Sequence, residues 1–84
     1  MPEAPITHKV SIYTTDTCAY CKMAKDFFVK NNVVYEEINV SRNPVKAQEM
    51  INISHQMGVP VIEIDSKIII GFDKLKVKQL LGIN

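Results

Sequence analysis

The two cysteines of the chain, Cys18 and Cys21, are separated by two residues and stand where an apparent strand is followed by an apparent helix. A thiol at the start of a helix lies near backbone N–H groups and the positive end of the helix dipole, which favour its thiolate form. A second thiol one turn later can attack any mixed disulfide that the first one forms. The spacing therefore predicts a redox site, with Cys18 as the exposed nucleophile and Cys21, more buried, as the resolving thiol.

Activation of Cys18 requires more than its position on the helix. Lowering the pKa of a thiol from about 8.5 to about 6 takes about 3.4 kcal/mol, whereas a helix terminus supplies about 0.3–1 kcal/mol and at most about 2. We therefore expect further help from the backbone N–H groups of Tyr20 and Cys21 and from a nearby cation. Lys22, four residues after Cys18, is the first candidate for that cation, and Lys25 is a second, more distant one.

A Cys-x-x-Cys pair can also be half of a zinc site or a structural disulfide. A closed zinc site usually needs a second pair of ligands at suitable spacing, and the remaining candidates, His8 and His55, lack it. We therefore predict no metal site within one chain, and we expect His55 to be a polar loop residue. Structural disulfides are typical of secreted proteins. A metal cluster shared between two chains stays an open alternative.

The composition of this chain of 84 residues is ordinary for a globular protein, with 46% hydrophobic and 23% charged residues. Its formal net charge of +1 gives no reason to expect nucleic acid or an anionic membrane as a partner. The start of the chain lacks the features of a signal peptide, and no apolar run approaches transmembrane length. We therefore expect a cytoplasmic protein with one domain over residues 1–84, in which residues 1–8 form a loose lead-in.

The hydrophobic periodicity predicts the element order β-α-β-α-β-β-α. Strands are expected over residues 9–13, 33–40, 59–64 and 68–70. Helices are expected to begin at Ala19, at Pro44 with Asn43 as cap, and after the cap Asp73. A helical crossover makes the first two strands parallel, and a turn at residues 65–67 joins the last two as a hairpin. This order fits an α/β domain with one mixed four-stranded sheet flanked by helices.

Apolar residues at helical spacing predict which face of each helix is buried. In the first helix these residues are Ala19, Met23, Ala24, Phe27 and Phe28. In the second helix the inner face is expected to consist of Ala47, Met50, Ile51 and the small polar Ser54, and in the third of Val77, Leu80 and Leu81. The lysines of the third helix are expected to be solvated surface.

Pro60 follows Gly58 and Val59 at the start of the third predicted strand. One interpretation is an ordinary proline at the start of a strand, since proline cannot donate to a sheet. The other is a cis proline whose preceding residue, Val59, offers its backbone N–H and C=O to an extended thiol substrate. The cis form accounts for about 5–6% of X–Pro bonds, so the spacing alone does not select between them.

Four segments together resemble the successive signatures of glutaredoxins. They are Tyr13-Thr14, Thr17-Cys18-Ala19-Tyr20-Cys21-Lys22, Gly58-Val59-Pro60 and Ile70-Gly71-Phe72-Asp73, and the resemblance covers residues 8–82. It implies a thioredoxin fold, a cis Pro60 and thiol–disulfide exchange through Cys18. It also implies that no cofactor is tightly bound and that glutathione acts as a co-substrate.

The resemblance further implies a groove that binds glutathione or a similar substrate. Tyr20 would flank the bound thiol, and Val59, beside the supporting Pro60, would pair with the peptide backbone. Gly71, Phe72 and Asp73 would receive the γ-glutamyl end of glutathione, with the Asp73 carboxylate accepting its ammonium group. A helix N-terminus at this place would also suit a carboxylate.

Three positions depart from the common glutaredoxin pattern. Ala19 stands where a proline usually separates the cysteines, Thr15 stands where many members carry a lysine that binds a glutathione carboxylate, and Gly71-Phe72-Asp73 lacks a double glycine. The last segment is closer to NrdH-type redoxins, which are recharged by thioredoxin reductase and serve as electron donors, for example to ribonucleotide reductase. The reductant is therefore open between glutathione and thioredoxin reductase.

The expected enzyme is a monomer that reduces disulfide-containing proteins or glutathione mixed disulfides. A different class of function is a cluster-binding module, in which two chains share a [2Fe–2S] cluster through Cys18 and glutathione, as some glutaredoxins do.

Overall fold

The computed structural model of the protein describes residues 8–83 and contains the strands and helices in the predicted order. Strands β1 to β4 span Val10–Thr14, Glu36–Asn39, Val61–Ile64 and Lys67–Ile70, and helices α1 to α3 span Ala19–Lys30, Pro44–Ser54 and Lys74–Leu81. The lead-in expected over residues 1–8 lies, apart from His8, outside the described residues.

The strands form one mixed sheet in the order β2-β1-β3-β4, which confirms the expected architecture. β1 is parallel to β2 and antiparallel to β3, and β3 is antiparallel to β4. Tyr13 pairs with Val61, which in turn pairs with Ile70. The chain leaving β1 toward Cys18, the chain entering β3 from Pro60 and the chain leaving β4 therefore meet at one end of the sheet.

Helices cover both faces of this sheet. On one face, α1 and α3 enclose the larger core, and the fully buried Phe28 is its largest side chain. Its other buried members are Val10, Ile12, Ala24, Phe27, Ile62, Ile64, Ile69, Val77 and Leu81. Full burial of each large apolar side chain contributes roughly 1.5–3 kcal/mol, so this face holds most of the apolar stabilisation.

The opposite face carries α2 over a smaller core of Tyr13, Met50 and Val61. The Tyr13 hydroxyl donates to Glu49 Oε1 at 3.1 Å, which ties α2 to the central strand. Burial, and then the hydrogen bond to the Glu49 carboxylate, raise the pKa of Tyr13 to about 12. Tyr13 therefore stays a neutral donor at physiological pH.

The second predicted strand, over residues 33–40, was wrong at residues 33–35 and at residue 40. β2 begins at Glu36, and Val34 is 85% exposed. Asn32 has a positive φ of 58°, and the N–H of Val33 donates back to Phe28 C=O at 2.8 Å. This is a Schellman end for α1. Val33 therefore completes the helix end, although its residue type favours a strand.

The predicted buried face of α1 was partly wrong. Met23 is 51% exposed and Ala19 is exposed, while the buried residues of α1 are Cys21, Ala24, Phe27 and Phe28. Cys21 behaves here as a small apolar side chain and takes the place in the buried stripe that the pattern gave to Met23. Cys21, predicted as the resolving thiol, is therefore part of the core.

Candidate active site

Cys18 is the N-cap residue of α1, with an extended backbone (φ −102°, ψ 108°). Its Sγ accepts a hydrogen bond from the N–H of Cys21 at 3.1 Å. The N–H of Tyr20, predicted as a second donor, makes no such bond to Cys18 in the described part of the chain. The sulfur thus occupies the position that a serine or aspartate oxygen takes at an ordinary helix start.

The two cysteines are joined by a disulfide, and their Cα atoms lie 5.2 Å apart. Cys18 is half-buried, whereas Cys21 is only 1% exposed. A partner sulfur arriving from solvent can therefore reach Cys18 but not Cys21. Tyr20, in the first turn of α1, is 64% exposed and leaves an aromatic face open beside the accessible cysteine.

The two candidate cations near Cys18 differ in their contacts. Lys25 is engaged elsewhere, since its Nζ lies 3.0 Å from Glu37 Oε2, which also accepts from the buried Thr14 hydroxyl at 2.8 Å. These bonds, from Lys25 first and then from Thr14, lower the pKa of Glu37. Lys22 is exposed and forms no ion pair with any residue between 8 and 83. Support of Cys18 by Lys22 stays a prediction.

The loop that leads from β1 to Cys18 is held by the loop after β2. The Asp16 carboxylate accepts from Asn39 Nδ2 at 2.8 Å and lies 3.6 Å from Arg42 Nε, while the N–H of Asp16 donates to Ser41 Oγ at 3.1 Å. Sequence reasoning missed these contacts. Polar residues at the ends of two adjacent parallel strands were the available signal, because such ends meet at one edge of a sheet.

Val59 lies at the same end of the sheet, immediately before Pro60. The Val59–Pro60 peptide bond is cis, as the resemblance implied. Within residues 8–83, neither the N–H nor the C=O of Val59 makes a hydrogen bond, whereas Pro60 C=O accepts from the N–H of Gly71 at 2.8 Å. The backbone of Val59 can therefore pair with an extended ligand.

The segment after β4 completes this end of the molecule. Gly71 has a positive φ of 78°, which directs the chain from β4 into α3. The Phe72 ring packs against the Phe27 ring, with the two ring centroids 5.7 Å apart. Asp73 caps α3 through a 3.2 Å bond from Lys76 N–H to Oδ1. One oxygen of the carboxylate predicted to bind an ammonium group is therefore already used by the helix.

Three other predictions concern His55, a metal site and a membrane-spanning helix. His55 is exposed and is the left-handed C-cap of α2, as expected for a polar loop residue. Between residues 8 and 83 there is no group of three or more histidine, cysteine and acidic side chains that could hold a metal ion. In the same range, no helix is long and apolar enough to cross a membrane.

A family model and two known proteins that match this sequence all point to the same family. The model of the glutaredoxin family matches residues 10–69. A glutaredoxin-like 8.6 kDa protein from the rubredoxin operon of Clostridium pasteurianum is 39% identical over 72 residues, covering 86% of this chain and 96% of that protein. Glutaredoxin 3 of Escherichia coli is 41% identical over 66 residues, covering 79% of this chain and 80% of that protein.

Solved structures show the same architecture. The crystal structure of a glutaredoxin from Archaeoglobus fulgidus superimposes with a TM-score of 0.80 at 26% identity, covering 87% of this chain and 85% of that one. This similarity, together with the strand and helix order, confirms the thioredoxin fold expected from the sequence.

Proposed function

The chain belongs to the glutaredoxin family and is a thiol–disulfide oxidoreductase, and we propose that it reduces protein or glutathione mixed disulfides with Cys18 as nucleophile and Cys21 as resolving thiol. The observation that carries this proposal is the 3.1 Å hydrogen bond from the N–H of Cys21 to Cys18 Sγ. A bond to the cap sulfur stabilises a thiolate more than a thiol, because hydrogen bonds to charged acceptors are stronger. Cys18 is also the more accessible of the two sulfurs.

The first step is attack by the Cys18 thiolate on one sulfur of a substrate disulfide. A bond forms between Cys18 and that sulfur, the substrate disulfide breaks, and the other substrate sulfur leaves as a thiolate that takes a proton from water. The exposed face of Tyr20 and the free backbone of Val59 flank the approach of the substrate. Lys22 supports the negative charge on Cys18 before the attack.

The second step is attack by the Cys21 thiolate, after loss of its proton, on the sulfur of Cys18. The bond between Cys18 and Cys21 forms, the mixed disulfide breaks, and the substrate leaves as a reduced thiolate. The product of this step is the Cys18–Cys21 disulfide of the structure, in which the two Cα atoms lie 5.2 Å apart. Two electrons have then passed from the pair to the substrate.

A reductant must return two electrons to the cysteine pair. Two molecules of glutathione or one dithiol of a thioredoxin reductase could supply them, with oxidised glutathione or an oxidised reductase as product. We propose a glutathione groove formed by Tyr20, Val59 and the segment Gly71-Phe72-Asp73. The free backbone groups of Val59 and the N-terminus of α3 support this assignment.

We further propose that the enzyme acts in the cytoplasm as a monomer with one domain over residues 1–84. Its substrates are disulfide-containing proteins or glutathionylated peptides. If thioredoxin reductase is the reductant, the protein instead acts as an NrdH-type electron donor, for example to ribonucleotide reductase.

A coupled assay tests the function and the reductant together. NADPH oxidation is followed with a glutathionylated peptide as substrate, in one arm with glutathione and glutathione reductase and in the other with thioredoxin reductase. We expect turnover with one of the two systems, and none above background with Cys18→Ser. Failure of both arms, or full activity of Cys18→Ser, would overturn the proposal.

A further inference from the structure

Gln56, in the loop between α2 and β3, forms hydrogen bonds with both backbone groups of a single glycine. Its Oε1 accepts from the N–H of Gly58 at 2.6 Å, and its Nε2 donates to the C=O of Gly58 at 3.0 Å. The Nε2 group also lies 3.2 Å from the Oγ of the buried Ser54, which itself donates to Met50 C=O at 2.6 Å. The side-chain amide of Gln56 is thus anchored to α2 while it holds Gly58.

Holding the carbonyl of Gly58 also fixes the direction of the next N–H. The C=O of Gly58 and the N–H of Val59 belong to one planar peptide unit. Glycine has more backbone freedom than any other residue, so without this contact the plane could rotate. On the other side of Val59, Pro60 is held to the end of β4 by the bond from the N–H of Gly71.

We propose that Gln56 is a positioning residue that presets the backbone of Val59 for pairing with the substrate. This inference rests on the proposed function, because it assumes that a disulfide substrate lies along Val59. Gln56 touches neither cysteine in the contacts of the described chain, so it acts through Gly58 on binding and not on the reactivity of Cys18. Its loss therefore weakens substrate binding before it affects the exchange chemistry.

Gly58 provides a second route to the same effect. A Cβ atom added at Gly58 would lie 2.8 Å from Gln56 Oε1, which is too close for an undisturbed contact. The end of the flexible Gln56 side chain would have to move away, and its bonds to Gly58 would weaken. Gly58→Ala thus disturbs the pair of hydrogen bonds between the Gln56 side chain and Gly58, here called the Gln56 clamp, without changing Gln56.

The experiment compares Gln56→Ala, Gln56→Glu and Gly58→Ala with a matched control, Gln48→Ala. Among residues 8–83, the Gln48 side chain bonds only within α2, where its Nε2 donates to Asn52 Oδ1 at 3.0 Å. For each variant, KM and kcat are measured with the glutathionylated peptide, and iodoacetamide alkylation of Cys18 is followed in the reduced protein. Thermal unfolding reports separately on folding.

We expect Gln56→Ala to raise KM roughly tenfold, the equivalent of one or two lost hydrogen bonds. Its kcat and the rate of Cys18 alkylation should stay within about twofold of wild type, since neither depends on peptide pairing. Gln56→Glu keeps the acceptor for the N–H of Gly58 but faces its C=O with a second oxygen. Gln56→Glu should therefore raise KM at least as much as Gln56→Ala. The control Gln48→Ala should change neither KM, nor kcat, nor the rate of Cys18 alkylation.

The double variant Gln56→Ala/Gly58→Ala should have the same KM as Gln56→Ala alone, because the side-chain oxygen that would clash with the new methyl group is already absent. A wild-type KM in Gln56→Ala, or a slower Cys18 alkylation with unchanged KM, would overturn the inference while leaving the proposed function intact. A wild-type protein without turnover, or an active Cys18→Ser, would overturn the proposed function and this inference with it.

Discussion

The N-termini of α1 and α3 have the same capping geometry, but a sulfur accepts the capping hydrogen bond in α1 and an oxygen accepts it in α3. In α3, Asp73 Oδ1 accepts from the N–H three residues later at 3.2 Å, and in α1, Cys18 Sγ accepts from the N–H three residues later at 3.1 Å. Oxygen is the usual cap and stabilises a helix by about 0.5–2 kcal/mol. A neutral sulfur is a weaker acceptor. The first helix therefore gains less from its cap as a thiol, and the same bond favours the thiolate.

This difference shows how a stabilising cap becomes a reactive one when a sulfur replaces the accepting oxygen. α2 has the ordinary version as well, since Asn43 Oδ1 accepts from Lys46 N–H at 3.1 Å. The molecule thus contains two oxygen-capped helices as internal references for its sulfur-capped helix. Substitutions at the three caps should separate the contribution to folding from the contribution to chemistry.

The largest expected effect comes from Cys18→Ser, which turns the reactive cap into an ordinary one. We expect disulfide exchange to fall at least about a hundredfold, because an alcohol is not ionised at neutral pH and cannot replace the thiolate. Unfolding in urea should show a stability equal to or above that of the reduced wild-type protein, since serine is a preferred N-cap. A clear loss of stability would contradict the view that Cys18 is held as a cap.

Cys21→Ser should separate the two steps of the exchange. The backbone N–H of residue 21 is retained, so Cys18 should still attack a substrate disulfide, but no neighbouring thiol resolves the product. We expect the mixed disulfide with the peptide to accumulate in stoichiometric amounts, visible by intact-protein mass spectrometry. If the wild-type protein accumulates it equally, Cys21 is not the resolving thiol.

The two oxygen caps should have similar effects on folding and different effects on activity. Asn43→Ala and Asp73→Ala should each lower the free energy of unfolding by about 1 kcal/mol, measured by urea denaturation. Only Asp73→Ala should also raise KM for a glutathionylated substrate, because Asp73 alone is proposed to lie in the substrate groove. Equal KM values in both variants would remove Asp73 from that groove.

The smallest expected effect concerns Glu37, whose pKa is lowered by the bond from Lys25 and then by that from Thr14. A carboxyl with a lower pKa in the folded state contributes stability above its unfolded pKa, and this contribution is lost as the pH falls through the folded value. Because the pair is partly exposed, we expect Glu37→Gln to cost less than about 1 kcal/mol at neutral pH. The difference between Glu37→Gln and wild type in urea unfolding should disappear in acid. A difference that stays constant with pH would show that the Glu37 charge is not involved.

Local sequence patterns predicted much of this molecule. The element order, the caps Asn43 and Asp73, and the Cys18–Cys21 pair all follow from short-range rules on periodicity, capping and spacing. The shortened β2 did not, because the left-handed turn at Asn32 overrides the strand preference of the valines that follow it. Propensity scales contain no term for such a competition.

Sequence reasoning also missed the polar contacts that hold the site. Glu37 and Lys25 are 12 residues apart, and Asn39 and Asp16 are 23 apart. Lys25 in α1 meets Glu37 in β2 across the helical crossover, whereas Asp16 and Asn39 meet because the ends of β1 and β2 lie at one edge of the sheet. The clamp of Gln56 on Gly58 spans only two residues, but no periodic pattern marks it, since its partners are backbone groups.

The most direct test of the central claim is the pH dependence of Cys18 alkylation by iodoacetamide. It should be measured in the Cys21→Ser variant, where Cys18 is the one thiol left. Because the N–H of residue 21 and the α1 terminus favour the thiolate, we expect the midpoint, and hence the pKa of the Cys18 thiol, below about 8. A midpoint at or above about 8, near that of a free cysteine, would show that the cap does not activate Cys18 and would contradict the account.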